Sequence, residues 1–356
     1  KLLMVSLKNR IQAFATLGSI LLEVGENSQH KEFTSEQLNK LEVAVVEAVN
    51  HNGWFVEDNV RYMFRSLGES LTKSNIESWV EPYKSELAKS KTGKVAGVVM
   101  AGNIPLVGFH DFLTVMMSGN KIIAKLSADD NILLPIIAEL LIITEPGFKE
   151  MIIFTDGWLK DFDAIIATGS NNTSRYFDYY FSNYPNIIRK NRNSIAVLTG
   201  EESKKDLQDI CNDITLYYGL GCRNISHIML PEKYILDGLL EACSQNEKVN
   251  INHKYFNNYE YNKAIYLVNG TKHYDTGNML FIEDESYSSP VSVINLSYYS
   301  DINDVNRLLE VNKSKIQCIV SISTEISNAI PPGKSQAPGL ADYADGIDTM
   351  QFLINL

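Results

Sequence analysis

The sequence predicts an α/β protein: a helical N-terminal region, a doubly wound and mostly parallel sheet, then a second α/β unit. Two observations carry this expectation. Up to residue 92, apolar residues recur at three- and four-residue spacing; from residue 94, short β-branched and apolar runs alternate with longer amphipathic ones. A length of 356 residues accommodates two domains and a large core.

Helices are expected over 7–24, 38–50, 56–67 and 76–87, with Asn52-Gly53 as the break between two of them. Strands follow at 94–100, 121–125, 151–154 and 164–167, separated by helices at 107–117, 132–143 and 172–184. In sheets of this kind ligands bind beyond the carboxyl ends of the strands. Those ends are Ala101-Gly102-Asn103-Ile104-Pro105, Leu126-Ser127 and Thr168-Gly169-Ser170. They are rich in small and polar residues, as a rim for phosphate and ribose requires. A second unit begins near Ser194, with strand 194–199, helix 203–217, strand 225–230, helix 232–243, strands 264–268 and 291–295, helix 301–312 and strand 316–322. The tail is Pro- and Gly-rich through Gly339 and ends in a short apolar run, 350–356.

Composition excludes several functions. A net charge of −11 leaves no basic face for nucleic acid. No apolar run reaches the ~18–20 residues of a membrane span. The start lacks the pattern of a signal peptide, and the absent initiator Met suggests a processed N-terminus. Four cysteines without CxxC spacing and six scattered histidines suggest neither a disulfide framework nor a metal site. A reducing cytoplasm is the expected location.

Cys222 is the candidate nucleophile. It sits in Tyr217-Tyr218-Gly219-Leu220-Gly221-Cys222-Arg223-Asn224, a glycine-flanked turn where a thiol can be approached. Cys211, Cys243 and Cys318 lie in amphipathic or apolar runs, where a thiol is ordinarily inert. His227 follows closely and invites a Cys–His pair, but its place on a strand face with Ile225 and Met229 favours a buried structural histidine. His110 is read the same way. Glu201 and Glu202 read as acidic residues at a helix N-terminus. Gly102-Asn103-Ile104-Pro105 reads equally as a strand-to-helix turn, and Ser170 equally as an N-cap.

Taken in order, these segments resemble the aldehyde dehydrogenase superfamily, and specifically its LuxC-type acyl-CoA reductase branch. Gly102-Asn103-Ile104-Pro105 resembles the family's Trp-Asn-Phe-Pro block. Ser118-Gly119-Asn120-Lys121-Ile122-Ile123-Ala124-Lys125 resembles its A-G-N-x-V-V-x-K strand. Thr168-Gly169-Ser170 matches its T-G-S turn, and Gly219-Leu220-Gly221-Cys222 its Gly-Gln-x-Cys turn. Ser289-Pro290-Val291 resembles its late Gly-Pro-Val, and the stretch from Pro332-Gly333-Lys334 to Leu353 its C-terminal closing segment. The resemblance covers most of residues 94–356.

The resemblance implies an aldehyde dehydrogenase-like fold in three parts: 1–193, the helical N-terminus with an NADP(H)-binding domain; 194–325, the catalytic domain; and 326–356, a closing and oligomerisation segment. It implies Cys222 and Asn103 as catalytic residues, and Ala101, Gly102, Ile104, Lys125, Ser127, Gly169 and Ser170 as cofactor-binding ones. Hydrolytic relatives carry a water-activating glutamate that here falls near Ile187-Ile188, where no carboxylate stands. The acyl group is then expected to pass to or from a thiol, so the implied substrate is a long-chain acyl-CoA or acyl-protein thioester. The glutamate that grips the ribose in NAD-preferring relatives is replaced by Ala128, which favours NADPH, with NADH compatible because Asp129 lies next. A homo-oligomer, dimer or tetramer, and an acyl-activating partner enzyme are further implications. Arg223 is a candidate for lowering the Cys222 pKa, with a structural ion pair as its other reading. The rival functions are a cysteine acyltransferase or thioesterase without nicotinamide chemistry, and a non-catalytic scaffold with the same fold.

Overall fold

A computed structural model of the chain describes residues 5–27, 34–89 and 93–356. They fall into two units. The first runs to Lys190 and resumes as Gly339–Leu356; the second is Asn191–Pro338.

The first unit opens with helices α1 (Leu7–Gly25), α2 (Ser35–His51), α3 (Glu57–Ser70), α4 (Lys73–Val80) and the single turn α5 (Lys84–Leu87). Their starts are written in the sequence. Ser6 and Thr72 accept N–H bonds from Asn9 and Asn75, and Thr34 forms a reciprocal capping box with Gln37. One stripe of α1, including Phe14, Leu17, Leu21 and Val24, is buried in the core. A five-stranded sheet follows: β1 (Val95–Val99), helix α6 (Phe109–Ser118), β2 (Lys121–Lys125), helix α7 (Leu133–Thr144), β3 (Ile152–Phe154), β4 (Ala164–Thr168), helix α8 (Asn171–Tyr180) and β5 (Asn186–Arg189). The order is β3-β2-β1-β4-β5 and every pairing is parallel. Strand β5 carries no alternation and only four residues, so its sequence did not mark it.

The second unit contains β6 (Asn193–Val197), α9 (Lys204–Thr215), β7 (Ile225–Pro231), α10 (Asp237–Ser244), α11 (His253–Asn269), β8 (Tyr274–Asp275), β9 (Leu280–Glu283), β10 (Val293–Tyr299), α12 (Ile302–Val311), β11 (Ile316–Val320) and β12 (Ala329–Ile330). Its sheet runs β12-β11-β6-β7-β10-β9-β8, parallel except for β8 against β9.

Four expectations are corrected here. Residues 264–268 are not a strand but part of α11. Their apolar, aromatic run suits either state, and the helix is decided by its ends: Asn252 accepts the N–H groups of Lys254 and Tyr255, and Gly270 closes the helix in the left-handed conformation. The strand placed at 291–295 begins at Val293, after Ser292 at φ 67°, and continues to Tyr299. The helix placed at 232–243 begins at Asp237, because Tyr234 N–H bonds back to the Pro231 carbonyl in a turn through Lys233 at φ 70°. The helix placed at 203–217 ends at Thr215, for a reason that concerns the site.

The C-terminal piece of the first unit ends in α13 (Thr349–Ile354). Its Met350, Leu353 and Ile354 join the core of that unit. Asn120 Nδ2 donates to the Leu353 carbonyl at 2.9 Å, and Trp79 Nε1 to the Tyr343 hydroxyl at 2.8 Å. No helix among the described residues is long and apolar enough to cross a membrane.

Candidate active site

Two separate pieces of structure carry the candidate residues: one edge of the first unit's sheet, and one loop of the second unit.

In the first sheet the chain steps outward from β1 to β2 to β3, then returns to place β4 on the other side of β1. The neighbours β1 and β4 therefore leave the sheet in opposite directions, which opens a crevice at their carboxyl ends. The register sets Val99 beside both Lys125 and Ala167. Ala101, Gly102, Asn103, Ile104, Lys125, Ser127, Gly169 and Ser170 thus leave the same sheet edge from adjacent strands.

The loops at this edge are closely built. A Cβ on Gly102 would stand 2.6 Å from Ser127 Cβ and Oγ and 3.1 Å from the Asp130 N–H nitrogen, so only glycine fits. Ser127 folds its own loop: its Oγ accepts the Asp129 N–H at 3.2 Å and its carbonyl the Asp130 N–H at 3.2 Å. Asp130 is buried, and its Oδ2 accepts the Leu106 N–H at 2.7 Å. Leu106 sits at φ 55°, a conformation that costs a non-glycine residue roughly 1–2 kcal/mol. Burial pushes the Asp130 carboxyl up to about 6, against the opposing pull of the Leu106 hydrogen bond and of His51. The far end of α2 also holds this loop: His51 Nε2 lies 2.6 Å from the Ala128 carbonyl, and Asn52 Nδ2 donates to that of Asp129 at 3.1 Å. The part that Asp130, His51 and Asn52 play in this loop escaped the sequence analysis, which read Asn52 only as a helix break; the last two act across 77 residues, a separation that no local pattern encodes.

Ser170 is the N-cap of α8, accepting the Thr173 N–H at 3.2 Å. The N-cap reading of this serine holds: its hydroxyl serves the helix, and the positive end of α8, with no acidic residue in its first turn, stands at the sheet edge. Gly169 is equally confined, since a Cβ there would lie 3.0 Å from Phe177 and 3.1 Å from Thr173.

The second unit carries Cys222. Ser203 and Asp206 start α9 with a capping box, and the helix stops at Thr215 because the next turn is left-handed. Tyr217 (φ 53°), Tyr218 (φ 59°) and Gly219 (φ 75°) follow in succession. Two tyrosines in that region are strained, and both rings are buried. Asn224 holds the result. Its Nδ2 donates to the carbonyls of Asp213, Ile214 and Leu216, and its Oδ1 accepts the Gly221 N–H at 2.8 Å. Ser194 Oγ donates to the Cys222 carbonyl at 2.9 Å. The Arg223 guanidinium donates to the Ser335 carbonyl, a hydrogen bond rather than an ion pair. Asp213 accepts the Gly333 N–H at 2.7 Å and the Ser335 hydroxyl at 2.7 Å, tying the same segment to α9.

The backbone around Cys222 is therefore fixed from several sides while its side chain is exposed; Cys211 and Cys243 are buried and Cys318 is half-buried. A hydrogen bond to Cys211, with burial added, pushes the Cys243 thiol well up and keeps it protonated. The histidines are committed elsewhere. His227 lies with Nδ1 2.9 Å from the Ser286 carbonyl and Nε2 2.7 Å from Ser297 Oγ; His110 Nε2 lies 2.9 Å from the Leu340 carbonyl. Burial holds both below the usual histidine range and keeps them neutral, His227 as a fully buried residue and His110 as a half-buried one. Glu202 closes the turn before α9, accepting the N–H groups of Thr199 at 2.7 Å and Gly200 at 2.9 Å. Ile187 and Ile188 lie in β5, which continues into Arg189, itself paired in the core with Asp111.

An order of parallel strands with a glycine-lined crevice, and a cysteine loop in a second parallel sheet, can be compared with known folds. Similar solved structures include aldehyde dehydrogenase 21 from Physcomitrella patens in complex with succinate (TM-score 0.63, 14% identity, 97% of this chain and 87% of that one). A NAD-dependent benzaldehyde dehydrogenase from Corynebacterium glutamicum aligns with TM-score 0.60 and 13% identity over 91% of this chain and 82% of that one. An indole-3-acetaldehyde dehydrogenase complexed with NAD+ gives TM-score 0.60 and 12% identity over 91% and 77%. The chain has an aldehyde dehydrogenase fold. At such identities the likeness establishes the fold and not the reaction. No family model matches the sequence, and no curated protein matches it. Within the aldehyde dehydrogenase fold seen here, the helical N-terminal region belongs to the first unit, and so does the segment after Gly339.

Proposed function

We propose that this chain is an acyl-CoA reductase of the LuxC type, reducing a long-chain acyl thioester to an aldehyde with NADPH. The observation that carries the reading is an exposed thiol on a loop held by several hydrogen bonds; with it goes the expectation from the resemblance that the water-activating carboxylate falls near Ile187-Ile188, where the sequence has none. Without a base to activate water, an acyl-enzyme persists until a hydride or a second thiol takes it.

The sheet edge of the first unit fits a dinucleotide. Gly102 and Gly169 let the loops of this edge pack closely on Ser127 and on Thr173 and Phe177, the positive end of α8 suits a pyrophosphate, and Lys125 and Ser127 supply donors to a ribose or its 2′-phosphate. Ala128, exposed at the end of that loop, brings no carboxylate to repel the phosphate.

Cys222, as thiolate, attacks the thioester carbonyl. The oxyanion is held by the Asn103 amide and the Cys222 N–H. The coenzyme A thiolate leaves with the bonding pair and takes up a proton, and an acyl-Cys222 thioester remains. The cofactor supplies the hydride for the acyl carbonyl. The resulting thiohemiacetal oxyanion is stabilised by the same donors, and on its collapse the aldehyde departs and Cys222 is released as the thiolate with which it began.

The test is NADPH oxidation by absorbance over a series of acyl-CoAs, with Cys222→Ala beside the natural sequence. Thioester-dependent oxidation that disappears in the variant supports the reading, and the series ranks the chains. Acylation of Cys222 without any NADPH oxidation, for any chain length, overturns it in favour of an acyltransferase.

A further inference from the structure

The loop bearing Asn103 is fastened on both sides to the loop after β2. Before Asn103, Gly102 lies against Ser127 so closely that no Cβ fits between them. After it, Leu106 presents its N–H to Asp130 Oδ2 at 2.7 Å. Three residues, Asn103-Ile104-Pro105, bridge these two fastenings, with the Asn103 side chain exposed and Pro105 buried. Leu106 reaches Asp130 only by turning to φ 55°, and α6 starts from that turn, the Phe109 N–H bonding to the Leu106 carbonyl at 2.9 Å. Asp130 in turn is set by its N–H bond to the Ser127 carbonyl. Its Oδ1 is buried and has no hydrogen-bond partner. A carboxyl is thus placed in the interior for one neighbour, the N–H of a strained residue three positions beyond Asn103.

We infer that Asp130 is a positioning residue for Asn103, through which the loop after Lys125, carrying Ser127, sets where the Asn103 amide stands. This rests on the proposed role of Asn103 as an oxyanion donor. Without the Asp130 acceptor, Leu106 loses the hydrogen bond that offsets its left-handed backbone. The turn then relaxes toward ordinary φ, and the bridge moves with it. A misplaced donor lowers the rate of the chemical step while leaving thioester binding largely intact, because the oxyanion exists only along the reaction path.

The test is a double-mutant cycle on the full chain, using Asp130→Ala, Asn103→Ala and the double variant, with kcat and KM for an acyl-CoA and NADPH. Asn103→Ala is expected to lower kcat by about 10²–10³-fold. Asp130→Ala is expected to lower kcat by at least tenfold with acyl-CoA KM changed less than threefold, and to add nothing further in the Asn103→Ala background. Asp130→Asn keeps a carbonyl acceptor for the Leu106 N–H and is expected to restore most of the lost rate. A normal rate in Asp130→Ala, or losses that multiply in the double variant, overturns the positioning role. If Asn103→Ala itself keeps full kcat, the oxyanion assignment fails instead, and the two failures are told apart. Should Asp130→Ala not fold, the Leu106 amide of Asp130→Asn is followed by hydrogen exchange beside its kcat. A protected amide with retained rate supports the inference; a protected amide with the rate lost as far as in Asn103→Ala, or an unprotected amide with normal rate, overturns it.

Discussion

At the scale of single residues, the cysteine loop is organised by Asn224 more than by anything adjacent to the thiol. One buried amide satisfies three carbonyls left over at the end of α9 and takes the Gly221 N–H. It thereby stabilises the left-handed Tyr217-Tyr218-Gly219 turn. Asn224→Ala should cost about 1–3 kcal/mol, from buried carbonyls left unpaired. It should also alter the rate at which iodoacetamide labels Cys222, with denaturant unfolding as the companion measurement; unchanged stability and labelling would sink the assignment. A second residue decides cofactor choice in the proposed function. Ala128→Glu places a carboxylate where the 2′-phosphate is expected, and should raise KM for NADPH by about tenfold or more, equivalent to about 1.4 kcal/mol, while leaving NADH unaffected or improved. Steady-state kinetics with both nucleotides decides it, and equal effects on the two would remove Ala128 from the site.

At the scale of elements, the first sheet is locked to its flanking helices by a buried pair. Arg189, at the end of β5, meets Asp111 of α6 and donates to Thr349 Oγ1 of α13 at 3.1 Å. The side chains of the pair are only 8% and 6% exposed. Asp111→Ala strands a buried guanidinium and should cost about 3–5 kcal/mol, read as a lower urea midpoint. Replacing both partners together, Asp111→Leu with Arg189→Met, should cost much less, because the isolated charge is the damaging product. If the double variant is as unstable as the single one, the loss belongs to packing rather than charge.

At the scale of the whole molecule, two histidines whose pKa burial depresses make stability depend on pH. Burial depresses the pKa of His110 and of His227 in the folded chain. Each therefore contributes stability that is present above the unfolded value of about 6.5 and is lost as pH falls below it, since the unfolded chain then binds the proton more readily. Thermal unfolding between pH 7.5 and 5.5 should show the melting temperature falling with pH. His227→Asn, though less stable throughout, should show a shallower fall; an equal slope would place the effect elsewhere. The alternation of strands and helices, the cap reading of Ser170, the glycine-bearing turns at the strand ends and the exposed Cys222 turn were legible in the sequence because each is a local property of a few adjacent residues. Residues 264–268 were misread as a strand because this apolar C-terminal part of α11 suits either state and the helix caps decide. The sequence by itself determined the fold class and which segments stand at the ends of the strands. Tertiary structure alone decided that β4 returns beside β1, that α2 braces the loop after β2, that Asp130 reaches Leu106, and that Arg223 donates to the Ser335 carbonyl. Those are contacts between residues far apart in the chain, and their energies depend on burial and distance, which no local pattern of residues specifies.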